Sequence, residues 1–250
     1  MLNESLEEKQ TDEYNSIINM KSPEAPIETG RNPYWKAWYP TVIVDFGKVE
    51  LGKSPYGEPS KETLSLFSEL PRGAHILDVG GGDGRYALSL AMMGYNVTVL
   101  DVDIPHLEQL ENSAKALLSK GAGMIESLCA DATKEYPFNK QFDAVLSAGF
   151  AYLLPPEQLE PVFARMAEAV KPEGLLVVEF ATGRVRRGKE GNSLIGEKEH
   201  LYTRQEGVGI LESLYEQCGL NLNPIQEKII HFEEPYYMHT NLIIANGIKR

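Results

Sequence analysis

Cysteine is scarce: the 250 residues contain only Cys129 and Cys218, with no C-x-x-C spacing and no Cys/His cluster. A disulfide framework and a thiolate metal site are thereby excluded as organising features, and no metal is expected. Long apolar runs are missing too, since no 18 consecutive apolar residues occur. The acidic start lacks a basic stretch followed by an apolar one, so neither a membrane span nor a signal peptide is expected. With unpaired thiols, this points to a soluble cytoplasmic protein. Positive charge is in deficit as well: 24 Lys and Arg face 36 Asp and Glu, for a net charge of -12. Nucleic-acid binding draws most of its affinity from basic side chains on phosphates, so a nucleic-acid partner is disfavoured. Internal repeats and any signature of a particular oligomeric state are absent. A chain of this length buries roughly 70–75% of its unfolded surface, enough for a core without staples.

What is present is concentrated between His75 and Asp103. A short apolar run (Ile76, Leu77, Val79) meets Gly80, Gly81, Gly82 and Gly84, continues into a helical stretch, and ends in a second apolar run (Val97, Val99, Leu100) that stops at Asp101. The pattern predicts strand, tight turn, helix and parallel strand, a unit that builds a nucleotide-type pocket.

Two ligands fit such a unit. Gly82-Asp83-Gly84-Arg85-Tyr86-Ala87 satisfies G-x-G-x-x-A, and Asp101 lies where a dinucleotide fold places its ribose-binding acid. A dehydrogenase is therefore one reading. Asp78 and Asp83 argue against it, because they stand where a pyrophosphate would approach the helix N-terminus. A nucleoside with a ribose, no phosphate and positive charge of its own suits the same turn better.

With Asp78, Gly80, Gly82 and Gly84 read as D-x-G-x-G-x-G, the sequence resembles the class I S-adenosylmethionine-dependent methyltransferases. Further segments carry the likeness in the family's order: Asp101 after the second strand, Cys129-Ala130-Asp131-Ala132 after the third, and Phe142 to Ser147 with Tyr152-Leu153-Leu154 after the fourth. Lys171-Pro172-Glu173-Gly174 precedes the fifth strand, with Glu173 where a glycine is more usual. The resemblance covers residues 71 to 180. It implies S-adenosylmethionine as cofactor and donor contacts at Asp78, Gly80, Gly82, Gly84, Asp101, Val102, Asp131, Ala132 and Ser147. It also implies a Rossmann-like, doubly wound, mostly parallel seven-stranded sheet with an antiparallel C-terminal hairpin at its edge.

Around this centre, residues 1–30 read as an acidic tail and 31–70 as an aromatic-rich cap holding Tyr34 and Trp38; 71–250 form the methyltransferase domain. A helix is expected over Ser60 to Leu70, a cap at Asp103 for a helix from Pro105, and a capping box at Thr203 to Glu206. The fifth strand is expected to end at Glu179-Phe180. Residues 181–203 then lose periodicity and carry Arg184, Arg186 and Arg187. They read either as a solvated loop or as a basic lid suited to an anionic or carboxylate-bearing substrate. The last two strands are expected near Ile225 to Phe232 and Met238 to Asn246.

Methyl transfer from a sulfonium is an in-line displacement in which alignment alone is worth up to roughly 7–11 kcal/mol, so a dedicated base is optional. The catalytic candidates are Tyr152, as a hydrogen-bond donor or cation-facing ring, and His200, as a base if the lid faces the pocket. Tyr34, Trp38, Phe150 and Arg184 are the substrate-contact candidates. A small-molecule methyl acceptor is the expected partner. A protein or RNA acceptor docked on the 184–189 run, and a non-catalytic binding module, are the alternatives.

Overall fold

The computed structural model describes residues 50–250 except 55, 119–120, 135, 189, 194, 196–199 and 234–236. The acidic tail and the candidates Tyr34 and Trp38 therefore lie outside the described residues.

Five strands run parallel: β1 (His75–Val79), β2 (Asn96–Asp101), β3 (Ile125–Cys129), β4 (Phe142–Ala148) and the first part of β5 (Val170–Arg187). Strands covered on both faces need apolar residues in succession rather than in alternation, and Ile76-Leu77, Val99-Leu100 and Ala144 to Leu146 supply them. Helices α1 (Lys61–Ser65), α2 (Arg85–Met92) and α3 (Ile104–Leu117) cover one face through a core that includes Phe67, Leu90, Leu107 and Leu110. Helices α4 (Pro156–Ala169) and α5 (Arg204–Gln217) cover the other through Leu159, Val162, Phe163, Met166, Leu211 and Tyr215. Truncating a buried Phe such as Phe163 to Ala would cost roughly 3–5 kcal/mol.

Among the described residues the sheet has eight strands, the last three being β6 (Leu220–Leu222), β7 (Gln226–Phe232) and β8 (Tyr237–Lys249), in the order β3-β2-β1-β4-β5-β8-β6, with β7 also paired to β8. The order reverses between β1 and β4, and in open α/β sheets ligands bind at the carboxyl ends of the strands beside such a reversal. The mostly parallel sheet with an antiparallel edge is as expected, with one strand more. Both β6 and β7 pair with β8, β6 at its C-terminal end and β7 farther back.

Two boundaries differ from the sequence reading. Helix α1 gives way after Ser65 to turns reaching Leu70, because the Ser65 and Ser68 hydroxyls donate to the carbonyls of Glu62 and Ser65, each at 2.7 Å, and the backbone tightens to i→i−3 bonds. Strand β5 runs on to Arg187, so 181–187 is sheet rather than loop. Its pairing with β8 continues from Leu175↔Ile248 to Arg187↔Tyr237, with a register shift between Thr182 and Val185. Gly183 takes φ 57° at that irregularity and donates its N–H to Tyr202 at 2.9 Å. The long β8 satisfies backbone groups that side-chain periodicity alone left unassigned.

Candidate active site

The carboxyl ends of β1 to β5 open into a cavity of about 440 Å³, within the roughly 300–1,000 Å³ usual for small-molecule sites. Its floor is the glycine turn. Gly80 has φ 70°, and a Cβ there would stand 2.4 Å from Phe150, so only glycine lets the turn pass beneath that ring. Gly82 has φ 55°, and a Cβ would meet nothing nearer than His106 at 3.7 Å. Its bare backbone is thus presented to the cavity, while its N–H is donated to Asp101 Oδ2 at 2.9 Å. Gly84 caps α2 with φ 83° and lies behind the wall, where its missing Cβ lets Leu110 of α3 pack closely.

Carboxylates dominate this half of the cavity. Asp78 is 1% exposed, and neither of its oxygens has a hydrogen-bond partner among the described residues. Burial pushes its pKa from 3.8 up to about 7; Arg85 pulls it down, and Asp101, Glu179 and Asp83 push it up. Asp83 is raised, again chiefly by burial, with the Ser54 hydroxyl donating to it at 3.2 Å. Asp101 is raised by burial as well, although His106 and the N–H groups of Asp103 and Gly82 oppose the rise. Asp103 caps α3 as expected, and its Oδ1 lies 3.1 Å from His106 Nδ1. Burial lowers the His106 pKa, but Asp103, Asp101 and Asp83 together outweigh it and hold the imidazole above its ordinary value. Tyr56 closes this side, its hydroxyl 2.8 Å from His106 Nε2 and its ring stacked on the imidazole. Asp131 accepts from the Thr133 N–H and hydroxyl at 2.9 and 2.6 Å. Burial raises its pKa, but these bonds and Lys134 bring it below the usual value.

The other half is built on the extended part of the sheet. Glu179, Ala181, Arg184 and Arg186 of β5, Met238, Thr240 and Leu242 of β8, and Ile230 of β7 face the same space. Glu179 is 3% exposed and accepts from the hydroxyls of Tyr86 and, at 2.6 Å, Thr63. Arg85 lies 3.8 Å from its second oxygen. Arg184 sits over the Tyr152 ring at 4.4 Å and donates to the His200 carbonyl at 3.3 Å.

Of the residues singled out in the sequence, Asp78, Gly80, Gly82, Asp101, Val102, Asp131, Ala132, Phe150, Tyr152 and Arg184 share this cavity wall. Ser147 does not: it is fully buried on β4, one residue before Ala148, which does line the cavity. Successive side chains on a strand point to opposite faces, which accounts for the difference. His200 is also off the wall; its ring packs 4.3 Å from that of Tyr202, and its backbone rather than its imidazole serves the site. The wall residues Glu179, Arg186 and Tyr56 were not singled out as contacts. A lone acid inside the apolar run Leu175 to Phe180 was the available signal for Glu179.

Residues 76–174 match the family described as a methyltransferase domain. Residues 76–174 thus carry a methyltransferase domain. The chain is 26% identical over 165 residues to the EEF1A lysine methyltransferase 2 of Danio rerio, covering 62% of this chain and 70% of that protein. It is 33% identical over 117 residues to an S-adenosyl-L-methionine-dependent Diels-Alderase of Talaromyces variabilis, covering 46% of this chain but only 38% of the fungal protein. In structure it superposes on a SAM-dependent methyltransferase of Methanosarcina mazei with a TM-score of 0.59 and 18% identity, over 77% of this chain and 100% of that one. The cofactor is S-adenosylmethionine, and the cavity suits it on physical grounds. The two unpartnered Asp78 oxygens call for a cation, the Gly82 backbone allows close approach, and the acids repel phosphate. Among the described residues no helix is long and apolar enough to cross a membrane.

Proposed function

We propose that the protein transfers a methyl group from S-adenosylmethionine to a small-molecule acceptor, in the cytoplasm. The carrying observation is that one cavity joins the acid-lined glycine turn to the wall made by β5, β8 and β7. In this reading Asp78, Gly80, Gly82, Val102 and Ala132 hold the donor, Asp101 orders the turn and contacts the ribose, and Asp131 contacts the base. When bound, the donor supplies a methyl group already activated by positively charged sulfur. The chain's own part is to orient the acceptor and exclude water. Phe150 and Tyr152, leaving β4 between the two halves, are the positioning surface, and no side chain is assigned as an obligatory base.

A protein acceptor would need a docking face. Among the described residues of the basic run offered for that role, Arg184 and Arg186 are turned inward at 6% and 4% exposure and Arg187 alone is exposed, which favours the small molecule. The test is incubation of the full chain with methyl-labelled S-adenosylmethionine and a cell extract split into small-molecule and protein fractions. Label should enter the small-molecule fraction, and label confined to protein would overturn the proposal.

A further inference from the structure

The end of β5 is inverted relative to an ordinary half-buried strand. Val185 points outward and is half-buried, while its neighbours Arg184 and Arg186 point inward and are almost fully buried. Guanidinium groups are among the side chains most costly to remove from water, and alternation would more simply have put the valine inside. Both arginines lie on the cavity wall, two residues apart on one strand face, farther along β5 than Glu179. Arg184 is held by the Tyr152 ring beneath it and the His200 carbonyl beside it, which fixes the plane of its fork. Ile230, Met238 and Leu242 make the adjoining wall apolar.

We infer that the methyl acceptor is an anionic small molecule, with its carboxylate or phosphate held by Arg184 and Arg186 and its apolar body laid against Ile230, Met238 and Leu242. This rests on the small-molecule methyltransferase reading and names the acceptor class. A planar fork with several fixed donors matches an oxyanion in two-point contact, which a lysine cannot do. Aspartates near the glycine turn and arginines on β5 would also orient a bound pair, with the cationic donor at the former and the anionic acceptor at the latter.

The test is calorimetric titration of the full chain, saturated with S-adenosylhomocysteine, using benzoate, phenyl phosphate and the neutral benzamide. At least one anion should bind roughly 10-fold or more tightly than benzamide, and whichever is tighter identifies the oxyanion. Arg184→Met and Arg186→Met should each weaken that anion by roughly 10- to 100-fold while S-adenosylhomocysteine still binds, which shows that the variants are folded. Arg186→Lys should recover only part of the loss. If neither anion binds wild type better than benzamide, or if both methionine variants keep the anion affinity, the inference is overturned. If wild type does not bind S-adenosylhomocysteine at all, the donor reading fails first, so the two failures are distinct.

Discussion

Replacing Asp78 by Asn should make the ligand-free protein more stable at neutral pH and a poorer binder of its cofactor. In the folded chain the Asp78 carboxyl is buried with no hydrogen-bond partner among the described residues, and its pKa rises from 3.8 to about 7. The folded state therefore holds this proton more tightly than the unfolded state. The associated stability is complete below pH 3.8 and is lost as pH climbs through about 7. At 1.36 kcal/mol for each pH unit the loss totals about 4 kcal/mol, of which about 2–3 kcal/mol falls between pH 5 and 7. Asn carries no such dependence, although its buried amide brings a desolvation cost of about 1–3 kcal/mol at every pH. The difference in Tm, variant minus wild type, should therefore grow by about 4–10 °C from pH 5 to pH 7. Thermal unfolding of both chains across that range measures it directly. A difference that stays flat with pH would refute the reasoning, because it would mean that Asp78 is already ionised and satisfied in the folded chain. Binding adds a second reading: a cation beside Asp78 favours the ionised form, so S-adenosylhomocysteine binding at pH 6 should release about one proton, seen as a buffer-dependent heat.

Other outcomes follow from single contacts. Tyr152→Phe keeps the ring that faces Arg184 and should leave labelled-methyl transfer within about tenfold of wild type; a loss of roughly 100-fold or more would make the hydroxyl a proton carrier instead. Glu173 is the one non-glycine residue with positive φ among those described, at 62°. Glu173→Gly should relieve about 1–2 kcal/mol of left-handed strain, offset by about 0.5–1 kcal/mol of chain entropy, and so raise Tm; a fall would contradict that account. Thr203→Ala removes the hydroxyl of the capping box that starts α5 and should cost about 1 kcal/mol in denaturant unfolding, with calorimetric S-adenosylhomocysteine affinity unchanged.

The parts of this fold legible in the sequence are those whose causes are local. The β1-turn-α2-β2 unit follows from glycine spacing and two apolar runs, and the Asp103 and Thr203 caps from one side chain reaching a nearby N–H. What stayed hidden depends on partners distant in the chain. Residues 181–187 look like loop because glycine and arginines interrupt the apolar pattern, yet β8 supplies the hydrogen bonds that make them strand. The three-residue β6 is likewise held by pairing with the C-terminal end of β8. Part of the cavity went unread for the same reason: Arg186 becomes a strand wall residue only once β5 is drawn out along β8. Conversely, Ser147 read as a contact because family likeness fixes a position in the chain, whereas strand alternation decides which side it faces.

The account depends most on the claim that buried aspartates around a bare glycine turn select a cationic nucleoside and reject a phosphorylated one. Parallel calorimetric titrations of the full chain with S-adenosylmethionine and with NADH test it most directly. Saturable binding of S-adenosylmethionine, lost in Asp101→Ala, with no heat from NADH, is the predicted result. Saturable NADH binding that Asp101→Ala removes would contradict it.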